Sequence, residues 1–465
     1  MHSHCRLRNG DRTSDQLWRV ACPVLVAVIL TMTGSIAYAQ IQLPRQGGIP
    51  MGKFLFFPST MVEFGHSSNV LRTSVDVPSI PSGLLLARLN LKMDMPLGAH
   101  HIRWSYSPQY TDYATTQFVS DDYMSHYFNF ESRFQLGRSF SIELNDRIVR
   151  GVTEVQEFDP GGERVFGLSP FRLHEPQLNM EFRFGARQRL VMSPRYTRAS
   201  FDDAEAAVRF SYDTEAIEAR YGFLVSAPTE LFAFLTREDT KQKRRTLDFE
   251  DSRLLTEAAG IGFSRSVNDN VITTFSTAYT RVDVEGGTGG SDFSGMSFEA
   301  AGNWRLTDQM QISVTGQRRP FQSFFLNNVF YVSNLLSIQL IHQIGSRTFW
   351  QAVARYQINN YPEALVIPPD DPNDPGDDTG DTWLNSAGVR RRDNLGEVEI
   401  GVSYRLSSSM RMFLGYNYLQ RKSNIRECRD EPSDLGNNGV CDAELIAPFS
   451  FNEDRIVVRL EAGWL

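Results

Sequence analysis

The chain has 465 residues and a formal net charge of −8, with 41% hydrophobic and 22% charged residues. An acidic chain of this kind lacks the basic footprint that phosphate backbones require, which excludes nucleic acid as a partner. Past residue 39 no apolar run approaches the ~18 residues of a membrane helix, so a spanning protein of this sequence must cross with strands closed into a barrel.

In chain order, residues 1–39 read as a cleavable export signal. Arg6, Arg8, Arg12 and Arg19 form a basic start, Cys22 to Leu30 is the centre of an apolar stretch, and Ala37 and Ala39 flank Tyr38 as a peptidase requires. Gln40 is then the mature N-terminus, and cleavage removes four arginines and two aspartates, leaving the chain more acidic. Residues 40–59, which include Phe54-Leu55-Phe56-Phe57-Pro58, form a periplasmic lead-in that either enters the first strand or docks a periplasmic partner. Cys428 and Cys441 are the cysteines left after cleavage, and an even pair in an exported chain predicts one disulfide closing a loop.

From residue 60 to 465 one unit repeats: an alternating segment, a short turn, a second alternating segment, then a longer polar connection. Eight such hairpins are predicted: Leu84–Met95 with His101–Tyr113, Tyr123–Leu136 with Ser139–Arg150, His174–Phe184 with Leu190–Ser200, and Phe210–Val225 with Glu230–Glu238 in the first half. Arg253–Arg265 with Val271–Val284, Met296–Leu306 with Met310–Arg319, Phe330–Gln343 with Thr348–Tyr361, and Asn394–Leu406 with Met410–Lys422 follow. Thr60–Arg72 and Phe451–Leu465 remain, and pairing them closes the sheet and removes both edges. The prediction is an all-β fold: a closed antiparallel up-and-down transmembrane β-barrel of about 18 strands, with short periplasmic turns and long extracellular loops.

Alternation assigns the faces, because successive strand side chains point to opposite sides. Ile456, Val458, Leu460 and Ala462 should meet lipid, as should Leu178, Met180, Phe182 and Phe184. The expected lumen lining is Arg103, Arg147, Arg183, Arg195, Arg220, Arg355, Arg405 and Arg459, interspersed with Glu143, Glu181, Glu218, Glu397, Glu399 and Glu461. These charges serve either as a hydrated wall with paired charges holding neighbouring strands, or as a selectivity surface for an anionic, hydrated polymer or solute. Trp104, Trp304, Trp350 and Trp464 fall near the short turns or the C-terminus, where a periplasmic aromatic girdle belongs, and Tyr110, Tyr113, Tyr123 and Tyr361 fall toward the long loops.

The long connections are Gly151–Leu173, Pro362–Trp383 and Ser423–Ser450. Acidic residues crowd 370–381, but the spacing lacks the calcium-loop pattern and its closing bidentate Glu, which favours a solvated loop. No His-x-x-x-His pair, Gly-x-Ser-x-Gly elbow or phosphate-cradling glycine motif occurs, so neither a catalytic function nor a cofactor or metal is expected.

The strand Phe64-Gly65-His66-Ser67-Ser68-Asn69-Val70-Leu71-Arg72, the Leu84–Tyr113 hairpin, and Arg421-Lys422-Ser423-Asn424 followed by Asn452-Glu453-Asp454-Arg455-Ile456-Val457-Val458 together resemble the outer-membrane β-barrel porin 2 family. The resemblance runs from about residue 60 to the C-terminus. It implies a conduit in the outer membrane of a Gram-negative-type cell through which exopolysaccharide or capsular polysaccharide leaves; the residues by themselves fit equally a general diffusion porin for small polar solutes or a non-conducting surface adhesin or assembly protein. The partners it implies are outer-membrane lipid, the barrel-assembly machinery, the polysaccharide and a periplasmic export partner.

Overall fold

The computed structural model describes residues 48–76, 78–114, 124–154, 163, 168–202, 210–242, 251–267, 270–286, 292–324, 328–364, 388–425, 427–428, 445–446 and 449–463. The export signal, the acidic 370–381 segment, Trp464, Cys441 and the side chain of Cys428 lie outside them, and so does the expected disulfide.

Eighteen long strands form the barrel: β1 (Phe54–Ser67), β2 (Ser82–Leu97), β3 (His100–Tyr113), β4 (Met124–Leu136), β5 (Phe140–Glu154), β6 (Leu168–Phe184), β7 (Gln188–Phe201), β8 (Tyr212–Ser226) and β9 (Thr229–Gln242), then β10 (Ser252–Val267), β11 (Val271–Glu285), β12 (Phe293–Thr307), β13 (Met310–Gln322), β14 (Phe330–Ile344), β15 (Thr348–Ala364), β16 (Arg390–Arg405), β17 (Met410–Ser423) and β18 (Phe451–Gly463). Each pairs antiparallel with the next, and β18 returns to β1 from Ser59 opposite Gly463 to Ser67 opposite Arg455, which closes the cylinder. All eight predicted hairpins are present. Their short turns include Gly98, Gly137, Gly185 and Gly345 at φ of 65°, 76°, 68° and 70°, a region that a side chain makes costly.

The opening strand differs from the sequence expectation. It runs Phe54–Ser67 instead of Thr60–Arg72, so residues 54–59 belong to the barrel and not to the lead-in, and Ile49–Met51 folds back as a short strand on Phe54–Phe56. Two features hid this. Phe54-Leu55-Phe56-Phe57 is apolar on both faces and shows no alternation, and a proline inside such a run argues against a paired strand. Pro58 is accommodated because β18 pairs with β1 only from Ser59 onward, so no ladder bond from that side is lost.

Residues directly opposite across an antiparallel pair share a face. Following the register around the barrel therefore sorts every strand into an outer and an inner row. The outer row holds Phe64, Leu235 and Ile261, exposed by 60%, 63% and 65%. Trp104, Trp304 and Trp350 lie in this row toward the short turns, with the Trp350 indole donating to His342 Nδ1 at 3.0 Å. Of the tyrosines expected toward the long loops, Tyr110 lies in the outer row, Tyr113 and Tyr361 point inward, and Tyr123 lies outside the described residues. Toward the long loops the outer row turns ionic, with Arg198 beside Asp213, Arg237 beside Glu257 and Arg281 beside Asp283. On β10, Arg265 and Glu257 bracket Phe263, Ile261 and Ala259.

A closed cylinder with its apolar row outside and its polar row inside is the arrangement of a barrel that sits in lipid. Its interior is not uniformly polar. At the long-loop end Val149, Phe171, Leu173, Ala199, Phe201, Phe210, Tyr212 and Phe324 pack together inside the wall.

Candidate functional site

The structure brings all fourteen expected lining residues into the inner row. Most are fixed by neighbours on adjacent strands. Arg103 reaches Asp94 and Glu131 at 3.2 Å each, Arg147 reaches Glu175 at 2.8 Å, and Arg183 reaches Glu181 at 2.7 Å. Arg195 meets Glu238 at 3.0 Å, and Arg220 shares Glu230 with Arg189. Arg355 donates to Glu397 at 2.7 Å, and Gln351 donates to Glu399 at 2.8 Å. Arg459 reaches Glu63 at 2.7 Å, and Glu461 is paired with Arg411. Asn145 donates to Glu143 at 2.9 Å, the Arg405 guanidinium stands 5.7 Å from the Phe349 ring centre, and Glu218 faces a recess described below.

Sequence reasoning missed the acids and arginines that complete these pairs, among them Glu63, Asp94, Glu175, Glu230 and Arg411. All five lie inside the predicted strands, and applying the same alternation to every position of those strands reaches them. The paired charges keep donors and acceptors in fixed positions along a wetted wall, and a barrel of this strand number is too wide for side chains to fill.

A second feature had no sequence signal. Glu163 belongs to the connection between β5 and β6, yet it is buried against the wall built by β13 to β17. Its carboxylate accepts from Tyr361 Oη at 2.7 Å, from Ser323 Oγ at 3.2 Å and from the Phe324 amide at 2.9 Å, while Arg421 donates to its main-chain carbonyl at 2.9 Å. Beside it Arg391 and Asp393 are ion-paired at 2.6 Å with side chains 3% and 0% exposed, and Arg391 lies over Tyr361 at 4.6 Å and Phe449 at 4.3 Å. From the other side of this anchor, Ser323 accepts from Gln242, and Phe324 packs on Phe210 and Tyr212. Segments from two connections thus meet inside the mouth at the long-loop end.

Below this crossing the wall between β8 and β13 hollows into a recess of about 400 Å³. Phe232 and Phe234 line it and lie over two glycines of β10. A Cβ on Gly262 would stand 2.4 Å from Phe232 Cζ, and one on Gly260 would stand 2.5 Å from Phe234 Cζ. The missing side chains are what let both rings lie against the sheet. The Arg220 guanidinium covers Phe232 at 3.6 Å, and Arg319 covers Phe321 at 4.4 Å on the far side of the recess. Between these flanks the inner rows of β10 and β11 carry no charge among the described residues. Thr256, Thr274, Ser276 and Thr280 supply hydroxyls there.

No family model matches this chain, and no curated protein matches it in sequence. Among solved structures it is similar to the FrpB iron transporter from Neisseria meningitidis, F3-3 variant, at 10% identity over 87% of this chain and 81% of that one, with a TM-score of 0.44. It is similar to the outer membrane protein opdK from Pseudomonas aeruginosa at 8% identity, over 88% of this chain and 99% of that one, with a TM-score of 0.43. The outer-membrane expressed OmpT of Vibrio cholerae matches at 8% identity over 90% and 99%, with a TM-score of 0.34.

Proposed function

We propose that the protein is an outer-membrane porin that conducts a hydrated polysaccharide out of the cell, delivered by a cleaved export signal and folded by the barrel-assembly machinery. The observation that carries the reading is the inner row itself. Arginines and carboxylates alternate around the barrel in pairs, from Arg103 with Asp94 to Arg459 with Glu63, and offer hydrogen bonds of both senses to a polyhydroxylated chain without a single-sign field to trap it. Lipid contacts the outer row, and a periplasmic partner hands on the polymer. The reading includes no catalytic step.

A deletion strain tests it directly. Polymer should accumulate in the periplasm and be lost from the surface, and unchanged surface polymer in that strain overturns the proposal. The crossing at Glu163 favours a second reading, a diffusion porin for small polar solutes, because a narrowed mouth passes small solutes more easily than a chain. Single-channel currents with and without added oligosaccharide separate the two. A polymer conduit shows interruptions that lengthen with oligomer length, whereas a diffusion porin shows none.

A further inference from the structure

The recess between β8 and β13 combines features that a plain hydrated wall does not need. We infer that it is a binding subsite for an uncharged pyranose unit of a polysaccharide; this rests on the conduit reading and deepens it by naming the substrate class.

Charge balance argues first. Arg195 is tied to Glu238 and Arg220 to Glu230, while Glu218, Glu299 and Arg319 also face the recess. A chain with a carboxylate on each unit would find Arg195 and Arg220 already engaged by acids and would face Glu218 and Glu299 as like charges, leaving Arg318 and Arg319 as the lining arginines that show no acid partner among the described residues. Such opposition discriminates against charged ligands. Neutral hydroxyls, in contrast, use both members of every pair, since each can donate to a carboxylate and accept from a guanidinium.

Shape and polarity argue next. The tip of the Phe234 ring reaches over Gly260 and the side chain is only half-buried, so part of the ring stays open to the lumen. A pyranose presents a face of axial C–H groups that packs on such a ring and an equator of hydroxyls, for which Thr236, Thr256 and Ser276 stand alongside. The volume, about 400 Å³, lies within the usual range for small-ligand sites, which pair apolar surfaces with a few placed polar groups.

The test is calorimetric titration of the full-length mature protein in detergent with hexameric α-glucan, β-mannan and β-galactan, against an oligogalacturonate hexamer. At least one neutral hexamer should bind ten or more times tighter than the uronate. Phe234→Ala and Thr256→Val should each weaken that binding at least fivefold while keeping the heat-modifiable migration of a folded barrel. Failure of all neutral hexamers to bind, equal or tighter binding of the uronate, or unchanged affinity in both folded variants overturns the inference. Because the titration does not depend on export, it can fail while the deletion strain still traps polymer. Equally, normal surface polymer in that strain removes the conduit reading without altering the titration.

Discussion

Replacing Glu63 with alanine should weaken the barrel where its first and last strands meet. Glu63 on β1 is 5% exposed and accepts from Arg459 Nε at 2.8 Å, from Arg459 Nη2 at 2.7 Å and from Arg455 Nη2 at 3.4 Å, both arginines belonging to β18. Hydrogen bonds to charged groups are worth about 1.5–3 kcal/mol each, and removing one partner of a buried pair also strands the other. The two arginine side chains remain 33% and 29% exposed, so lumenal water recovers part of the loss, which leaves a net cost of about 2 kcal/mol. That amounts to roughly a thirtyfold shift in the folding equilibrium. Urea titration of refolded protein, read by heat-modifiable migration, measures it. Glu143→Ala, which removes an acceptor bonded to Asn145, should cost under about 1 kcal/mol on the same scale. A double-mutant cycle with Arg459→Ala isolates the pair. A midpoint for Glu63→Ala equal to wild type, or strictly additive losses in the cycle, refutes the reasoning.

Three further outcomes follow from the face assignment, the mouth and the glycine floor. Ile261→Arg puts a charge on the lipid row and should cost about 2–4 kcal/mol, whereas Thr274→Arg on the inner row of the next strand should cost under about 1 kcal/mol; equal costs in urea titration contradict the assignment. Glu163→Ala removes the acceptor shared by Tyr361, Ser323 and Phe324, so single-channel conductance in planar bilayers should rise, and an unchanged current would show that the anchor does not limit the pore. Gly260→Ala should destabilise by about 1–3 kcal/mol, because the new methyl would meet the Thr277 carbonyl at 2.4 Å and Ala278 Cβ at 2.7 Å, atoms that cannot swing away. Gly396→Ala meets nothing within 4 Å and should be neutral by comparison.

What was legible in the sequence was whatever repeats with period two. The eight hairpins, the count of eighteen, and the inward direction of residues such as Arg183 and Glu397 all follow from alternation, because a slip of one position would put every charge of a strand into lipid. The start of β1 was not legible, since Leu55 and Phe57 turn inward yet look like their outward neighbours Phe54 and Phe56. Glu163 was not legible either. A loop has no period, and one acid among several in a glycine-containing loop gives no hint that Tyr361, 198 residues away, will be brought to it by the far wall. Tyr361 shows the complementary limit. Its level along the strand was readable, but its face was set by a register that the sequence states only in relation to its neighbours. The recess depends on the strands from β8 to β13 together, and neither Gly260 nor Phe234 alone suggests it.

The bracketing of the outer row on β10 has a consequence for the surrounding bilayer. Arg265 and Glu257 are separated by about eight residues, which at ~3.4 Å per residue and a tilt of ~40° is about 21 Å of depth, against ~25 Å for the usual apolar band. Thinning of the lipid beside β10 by about 4 Å would match this shorter band, at a fraction of a kcal/mol for each ångström. A barrel that dimples its membrane on one flank is drawn toward neighbours with a similar dimple, because two deformed annuli that merge leave less distorted lipid than two that stay apart. The sequence of a single strand thus bears on where in the membrane plane the protein gathers.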